Sequence, residues 1–367
     1  MSTTGTDHTL LDATEAAAER LIGILNDGST AVLASIGHQT GLFDTLAVLP
    51  AATSEQIADA AGLNERYVRE WLGGMVAARF VDYWPGSRTY RLRPDIAPSV
   101  SGPGTANLAR TLTYVTLMGE AAGKIVEKFR TGGGLGYSDY PAFIRVQAAD
   151  SGATHDESLL SAIIPLAGRT EALRSGIDVA DIGCGAGHAV NLMARAFPAS
   201  RFVGYDFEED ALALGRAEAE RLGLANVRFE LRDAATLDIS EGVDLVTVFD
   251  AVHDQAHPAA VLRNIWRALR PGGTFLMVDI KASSRLEDNI DLPWAAFLYA
   301  VSTTHCLSVS LAQGGDGLGT VWGVQQAEAM VREAGFGDVQ VLALDEDPFN
   351  AYFVARKQAA ETGSGNL

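Results

Sequence analysis

"VADIGCGAGHAV", Val179–Val190, runs from apolar residues into an acid, then three glycines at alternate positions, then apolar residues again. A glycine turn after a strand lets the backbone approach a ligand closely, and the helix that follows offers free N–H groups and a positive dipole end. A dinucleotide fingerprint needs G-x-G-x-x-G, whereas here the glycines are Gly183, Gly185 and Gly187, and His188 takes the third-glycine place. This spacing weakens a pyrophosphate reading. A tight strand-to-helix connection with no ligand would look the same, so the flanking pattern decides.

Downstream, short apolar runs alternate with amphipathic ones: "RFVGYDF", "EDALALGRAEAERLG", "VRFELRDA", "VDLVTVFD", "PAAVLRNIWRALR" and "GTFLMVDI". Strands separated by helices in this way mean a parallel sheet covered on both faces, a doubly wound α/β domain. Ligands of such sheets lie at the carboxyl ends of the strands, near the switch in strand order. Acids recur there: Asp181 with the glycines, Asp206, Asp233, and Asp250 after Phe249. Asp206 follows Gly183 by 23 residues, a distance that lets a carboxylate reach ribose hydroxyls. A helix cap for "EEDALALG" is the alternative for Asp206.

The 367 residues, 47% hydrophobic and 20% charged, suffice for a large core and two domains. A formal charge of −18 opposes phosphate backbones, so nucleic acid is not expected as a partner. Cys184 and Cys306 are too few for a disulfide framework or a four-thiolate zinc site, and they suit a reducing cytoplasm. "MSTTGTDHTLLD" lacks the features of a signal peptide, and no uninterrupted apolar run reaches membrane-spanning length, so neither export nor insertion is expected. The polar ends "MSTTGTDHT" and "AAETGSGNL" read as frayed termini.

The first hundred residues read as a helical and winged-helix domain. A helical pattern starts at Ala31, Thr53 and Gln56 are spaced as a capping box, two short helices meet at Gly62 and Leu63, and "FVDYWPGSRTYRLRP" alternates about a Pro-Gly-Ser turn as a wing. Between Thr53 and Asp95 six arginines meet six acids, a balance that supplies no phosphate attraction. The module is instead expected to pack against a second copy of the chain. Val32, Leu33, Ile36, Leu42, Phe43 and Leu46 suit such an interface and equally suit a core. Residues 101–174 read as a helical linker and lid, with the Gly- and Tyr-rich "TGGGLGYSDYPAF" able to cap a site. Residues 175–357 form the sheet domain and 358–367 a flexible tail.

Together "DIGCGAG", Asp206, "RDA" and "LRPGGTFLMVD" resemble a class I S-adenosylmethionine-dependent methyltransferase, over Gly176–Lys357. "AMVREAGFGDVQVLAL" and "NAYFVARK" match the helix and antiparallel hairpin with which that fold ends. With the winged helix in front, the whole chain resembles an actinobacterial group of two-domain methyltransferases. The resemblance implies a Rossmann-like sheet, S-adenosyl-L-methionine as cofactor and a small-molecule acceptor. It also implies that Gly183, Cys184, Gly185 and Gly187 approach the methionyl part, that Asp206 holds both ribose hydroxyls with Phe207 beside it, and that Asp233 and Ala234 read the adenine. The same resemblance implies that Phe249 lines this site. A sulfonium-ammonium ligand carries no phosphate and gains from Asp181 and Asp206.

On the acceptor side, "FDAVHDQAHP" places His253-Asp254 beyond the fourth strand. Small-molecule O-methyltransferases with a winged helix often have a His-Asp pair here followed by tryptophan, with the histidine as general base; Gln255 stands in place of that tryptophan. His253 is thus either base or structural. His257, before Pro258, reads as a cap or surface residue. His305-Cys306 forms a second polar pair, and His305 is the other catalytic candidate. Trp294, Tyr299, His305 and Trp322 are candidates for the acceptor wall or for plain core. His253, His305 and Cys306 lack zinc-ligand spacing, and no metal is expected. Two other functions fit the same residues: an S-adenosylmethionine-sensing transcription regulator, and an enzyme of this fold that catalyses without methyl transfer.

Overall fold

The computed structural model describes residues 4–359, with side chains from residue 13 onward, and the chain divides into two compact units between Gly119 and Glu120. The boundary falls inside the segment read as linker and lid. The tail beyond residue 359 lies outside the described residues.

In the first unit, α1 spans Thr4–Gln39, so the helix starts well before Ala31 and includes most of the polar stretch expected to fray. The sequence "DATEAAAERL" explains this, since alanine, glutamate, arginine and leucine are the strongest helix formers. Then follow α2 (Leu42–Val48), α3 (Ser54–Ala61) and α4 (Glu65–Ala77). The capping box forms: Gln56 N–H donates to Thr53 Oγ1, and Thr53 N–H donates to Gln56 Oε1 at 2.9 Å. The wing is an antiparallel pair, β1 (Val81–Trp84) with β2 (Thr89–Leu92). Leu42, Phe43 and Leu46 are buried beside Ile57, Trp71 and Leu72, whereas Val32 is 39% and Ile36 42% exposed. The six apolar residues that sequence left undivided therefore separate into core and surface. On α4, Arg66 pairs with Glu70 and Arg69 with Glu65, so the second helix neutralises its own cations. After α5 (Ala97–Val100) and α6 (Leu108–Thr111), α7 (Thr113–Thr131) carries the chain into the second unit.

In that unit the end of α7 is followed by a strap, residues 132–142, containing a short turn at Tyr137–Asp139, then α8 (Phe143–Thr154), wider helical turns at His155–Ile163, α9 (Ile164–Leu166) and α10 (Thr170–Ser175). The sheet region contains β3 (Asp178–Ile182), α11 (His188–Ala196), β4 (Arg201–Asp206), α12 (Glu209–Arg221), β5 (Val227–Leu231), β6 (Val243–Phe249), α13 (Pro258–Ala268) and β7 (Leu269–Ile280). A helical run follows, α14 (Ala295–Val301) and α15 (Leu307–Ala312) joined by wider turns at Ser302–Cys306; then come α16 (Val324–Glu333), β8 (Asp338–Leu344) and β9 (Asp347–Arg356). Strand order is β5-β4-β3-β6-β7-β9-β8, parallel except that β9 runs against both neighbours. Leu245 faces one apolar layer with Met193, Phe202 and Leu276; Val246 faces the other with Leu262, Phe275 and Val331. Burial on both faces is why the strands lack a polar side.

The run 295–312 is, among the described residues, the one helix long and apolar enough to cross a membrane by length and composition. Leu298, His305, Cys306 and Val309 on it are buried within the unit.

Candidate active site

Chain order reverses between β3 and β6, and the sequence-derived acids lie at or just beyond the carboxyl ends of β3, β4, β5 and β6. The glycine turn hangs from β4: the N–H groups of Gly183 and Cys184 donate to Tyr205 O at 2.8 and 3.1 Å. Gly183, Gly185 and Gly187 have φ of 67°, 52° and 71°, the left-handed region. A Cβ on Gly187 would come within 2.4 Å of the Phe229 ring, whereas one on Gly185 would meet nothing within 4 Å. The middle glycine therefore keeps open space beside the turn. Gly187→Ala should lose about 2–4 kcal/mol of stability from backbone strain plus overpacking, measured by urea unfolding; an unchanged midpoint would mean that Phe229 and α12 yield freely.

Asp206 comes close to its cap reading, since its carboxylate bonds the N–H of Glu208, the residue at the start of α12. Gly185 N–H donates to its Oδ2 at 2.8 Å and Glu208 N–H to its Oδ1 at 2.9 Å, so the carboxylate ties the glycine turn to the start of α12. Each oxygen retains acceptor capacity for a further donor. Burial pushes its pKa up against these N–H groups. Phe207 beside it is half-buried. Asp181 is buried, with Thr247 Oγ1 donating to Oδ1 at 2.7 Å and Oδ2 unpartnered; burial pushes its pKa to about 7. Burial also holds the Cys184 thiol well above its usual range, so it stays protonated. Asp233 is exposed and caps the next turn through Ala235 N–H at 2.8 Å, while Ala234 is buried and its carbonyl accepts from Asn264. Phe249 ends β6, edge-on to His155 at 5.0 Å.

His253 is buried, but its acid partner is not the adjacent Asp254. Nδ1 bonds the Asp279 carboxylate at 2.9 Å; Asp279, at the end of β7, also accepts from Trp322 Nε1 at 3.0 Å and Ile280 N–H at 2.8 Å. Burial opposes the imidazolium, yet Asp279 and the neighbouring Cys306 sulfur raise the His253 pKa well above the ordinary value. Asp254 turns instead to the strap, accepting from Tyr137 Oη at 2.9 Å, and burial lifts it to about 6. Asp250 follows β6 with φ 51°, and burial with Asp279 nearby pushes it to about 7.

His305 stacks on Phe143 with ring centroids 3.4 Å apart, its Nδ1 3.7 Å from Cys306 Sγ and its Nε2 buried without a partner. Burial and the His253 charge hold its pKa at about 3, so it is neutral. Among the wall candidates, Trp322 is core and supports Asp279, Trp294 stacks on Phe349 at 4.3 Å, and Tyr299 lies 37% exposed. His257 is exposed at the start of α13 with no side-chain cap bond, so its surface reading fits and its capping reading does not. Asp279 and Tyr137 are the residues that motif reading missed. Asp279 ends a strand as Asp181 and Asp206 do, so the strand-end rule already pointed to it.

Residues 28–101 match the Rv2258c-like winged HTH domain, and residues 173–341, from α10 through most of β8, match a methyltransferase domain. Over 128 residues, 32% of this chain and 37% of the other, the sequence is 34% identical to the arsenite methyltransferase of Aquipseudomonas alcaligenes. The aligned stretches span only 34–42% of the first curated relatives. A Nostoc punctiforme protein described as an O-methyltransferase superposes with a TM-score of 0.70 at 21% identity, over 92% of this chain and 98% of that one. Human N-acetylserotonin methyltransferase, in complex with S-adenosylmethionine, gives 0.68 at 17% identity over 93% and 98%. At such identities the superpositions speak to fold. The chain thus joins an Rv2258c-like winged HTH domain to a methyltransferase domain of the class I S-adenosylmethionine-dependent fold.

Proposed function

We propose that the protein is an S-adenosylmethionine-dependent methyltransferase acting on O, N or S of a small-molecule acceptor. The observation that carries this reading is Asp206, a half-buried carboxylate at the end of β4 that organises an open glycine turn and keeps lone pairs to spare. The unpartnered Asp181 oxygen fits a cationic ligand, whose charge would favour the ionised form that burial alone disfavours. Gly183–Gly187 would receive the methionyl part, with Asp181 balancing its ammonium group. Asp206 and Phe207 would hold the ribose, Asp233 and Ala234 the adenine edge, and Phe249 would close the floor. When bound, the cofactor supplies a methyl group on a sulfonium, already a good leaving group. The chain's own task is to orient the acceptor, exclude water and take a proton where the acceptor carries one. His253, its tautomer fixed by Asp279, is the base in this account. Calorimetric titration of the full chain with S-adenosylhomocysteine should give saturable binding; no binding by the folded protein would remove the reading.

The chain is also proposed to act as a homodimer in the cytoplasm. Leu21, Ile22, Ile24 and Leu25 on α1 are 55–70% exposed and adjoin exposed Val32 and Ile36, an apolar surface that a second copy would cover. Both cysteines are unpaired, as suits a reducing compartment. Light scattering should give twice the chain mass for the unmodified protein and the monomer mass for Leu21→Asp/Leu25→Asp. A monomeric unmodified protein at micromolar concentration would end the dimer proposal. The self-paired arginines of α4 support an acceptor other than nucleic acid.

A further inference from the structure

The strap 132–142 contacts the helical run 295–312 at several points. Leu135 N–H donates to Ser308 Oγ at 2.8 Å, Tyr140 Oη donates to Thr304 O, and Phe143, at the start of α8, stacks on His305. Gly134 lies so close that a Cβ there would fall 1.7 Å from Ser308 O. These bonds fasten the strap to one wall. Tyr137 does something different: it reaches across. Its ring sits edge-on to Phe207 at 5.1 Å, next to Asp206, while its hydroxyl donates to Asp254, next to His253. The same ring is 5.6 Å from His305. Gly132 and Gly133, both in the left-handed region with open space around them, form the joint by which the strap leaves α7.

We propose that Tyr137 is a positioning residue that couples the two ends of the site, its ring sensing the cofactor through Phe207 and its hydroxyl locking Asp254 beside His253, so that a bound cofactor tightens a strap that is already seated and that must lift to release the product. This rests on the proposed cofactor site. The two halves of the side chain have separable work. The phenol-to-carboxylate bond is charge-assisted and buried, so it holds the strap down whether or not the cofactor is present. The Phe207 contact, already made at 5.1 Å, would stiffen once a bound ribose fixed Phe207, so the ring would carry the response to ligand.

Hydrogen–deuterium exchange over 132–143, with and without S-adenosylhomocysteine, separates these roles without needing the acceptor. In the unmodified protein the ligand should slow exchange of the strap by about tenfold or more. Tyr137→Phe keeps the ring and should speed strap exchange about tenfold in both states while preserving the ligand-dependent ratio and leaving affinity within about threefold. Tyr137→Ala should abolish the ratio and release the ligand about tenfold faster. A merely structural tyrosine would change exchange equally with and without ligand in both variants. The proposal is overturned if ligand binds the unmodified protein without protecting the strap, or if Tyr137→Ala keeps the full ratio. Failure of the unmodified protein to bind at all would instead overturn the cofactor site, and the coupling with it.

Discussion

Asp206→Asn is expected to weaken S-adenosylhomocysteine binding ten- to a hundredfold, the loss of about 1.5–3 kcal/mol that charge-assisted hydrogen bonds to ribose hydroxyls supply. The structure adds a second cost. Asparagine has one oxygen where aspartate has two, and those two already accept from Gly185 and Glu208 N–H. Its amide NH2 must then face one of these donors, which misaligns either the glycine turn or the start of α12. The fold should survive with a modest loss of stability, about 1–3 kcal/mol for an unsatisfied buried group. A calorimetric titration in which Asp206→Asn matched the unmodified protein would leave Asp206 as a turn-former only.

The second large effect concerns His253. For an acceptor that must lose a proton from a hydroxyl, His253→Ala should lower kcat/KM by about 100-fold or more, and for a thiol or phenol already ionised the loss should be small. Equal losses across these acceptors would contradict the base role. Because Asp279 raises the His253 pKa, the neutral imidazole grows in only as pH rises above the ordinary histidine value of 6.5, and activity should rise with it. Asp279→Asn should move that limb to lower pH and also reduce the plateau, since the tautomer is no longer fixed. Stability runs the opposite way. A group whose folded pKa is raised stabilises fully below its unfolded value and loses the contribution as pH climbs through the folded one, so the His253–Asp279 pair favours the fold in acid.

The sheet, the glycine turn and the acids at the strand ends were legible because their signals are local. Glycines at 183, 185 and 187 sit on one turn, and acids at 181, 206 and 233 each end or follow their own strand. The capping box at Thr53 is equally local. What escaped depends on partners far apart in sequence. His253 bonds Asp279 because β6 and β7 pair with Phe249 opposite Val278, a register that no short motif encodes. Tyr137 meets Asp254 across 117 residues. The adjacent acid in "HDQ" was the obvious companion for His253, yet neighbours in a chain point in different directions, and Asp254 faces the strap. Burial was legible only in part for the same reason: Leu42 and Ile36 look alike as residues, and only packing sends one inward.

The most direct test of small-molecule methyl transfer uses S-adenosylmethionine labelled at its methyl group, incubated with the full chain and a cell extract containing both low-mass metabolites and macromolecules. The account predicts that label appears in a low-mass product in step with S-adenosylhomocysteine, and that Asp206→Asn suppresses both. Label found in protein or nucleic acid, or cofactor bound by the chain and left intact in the presence of the complete extract, would contradict it.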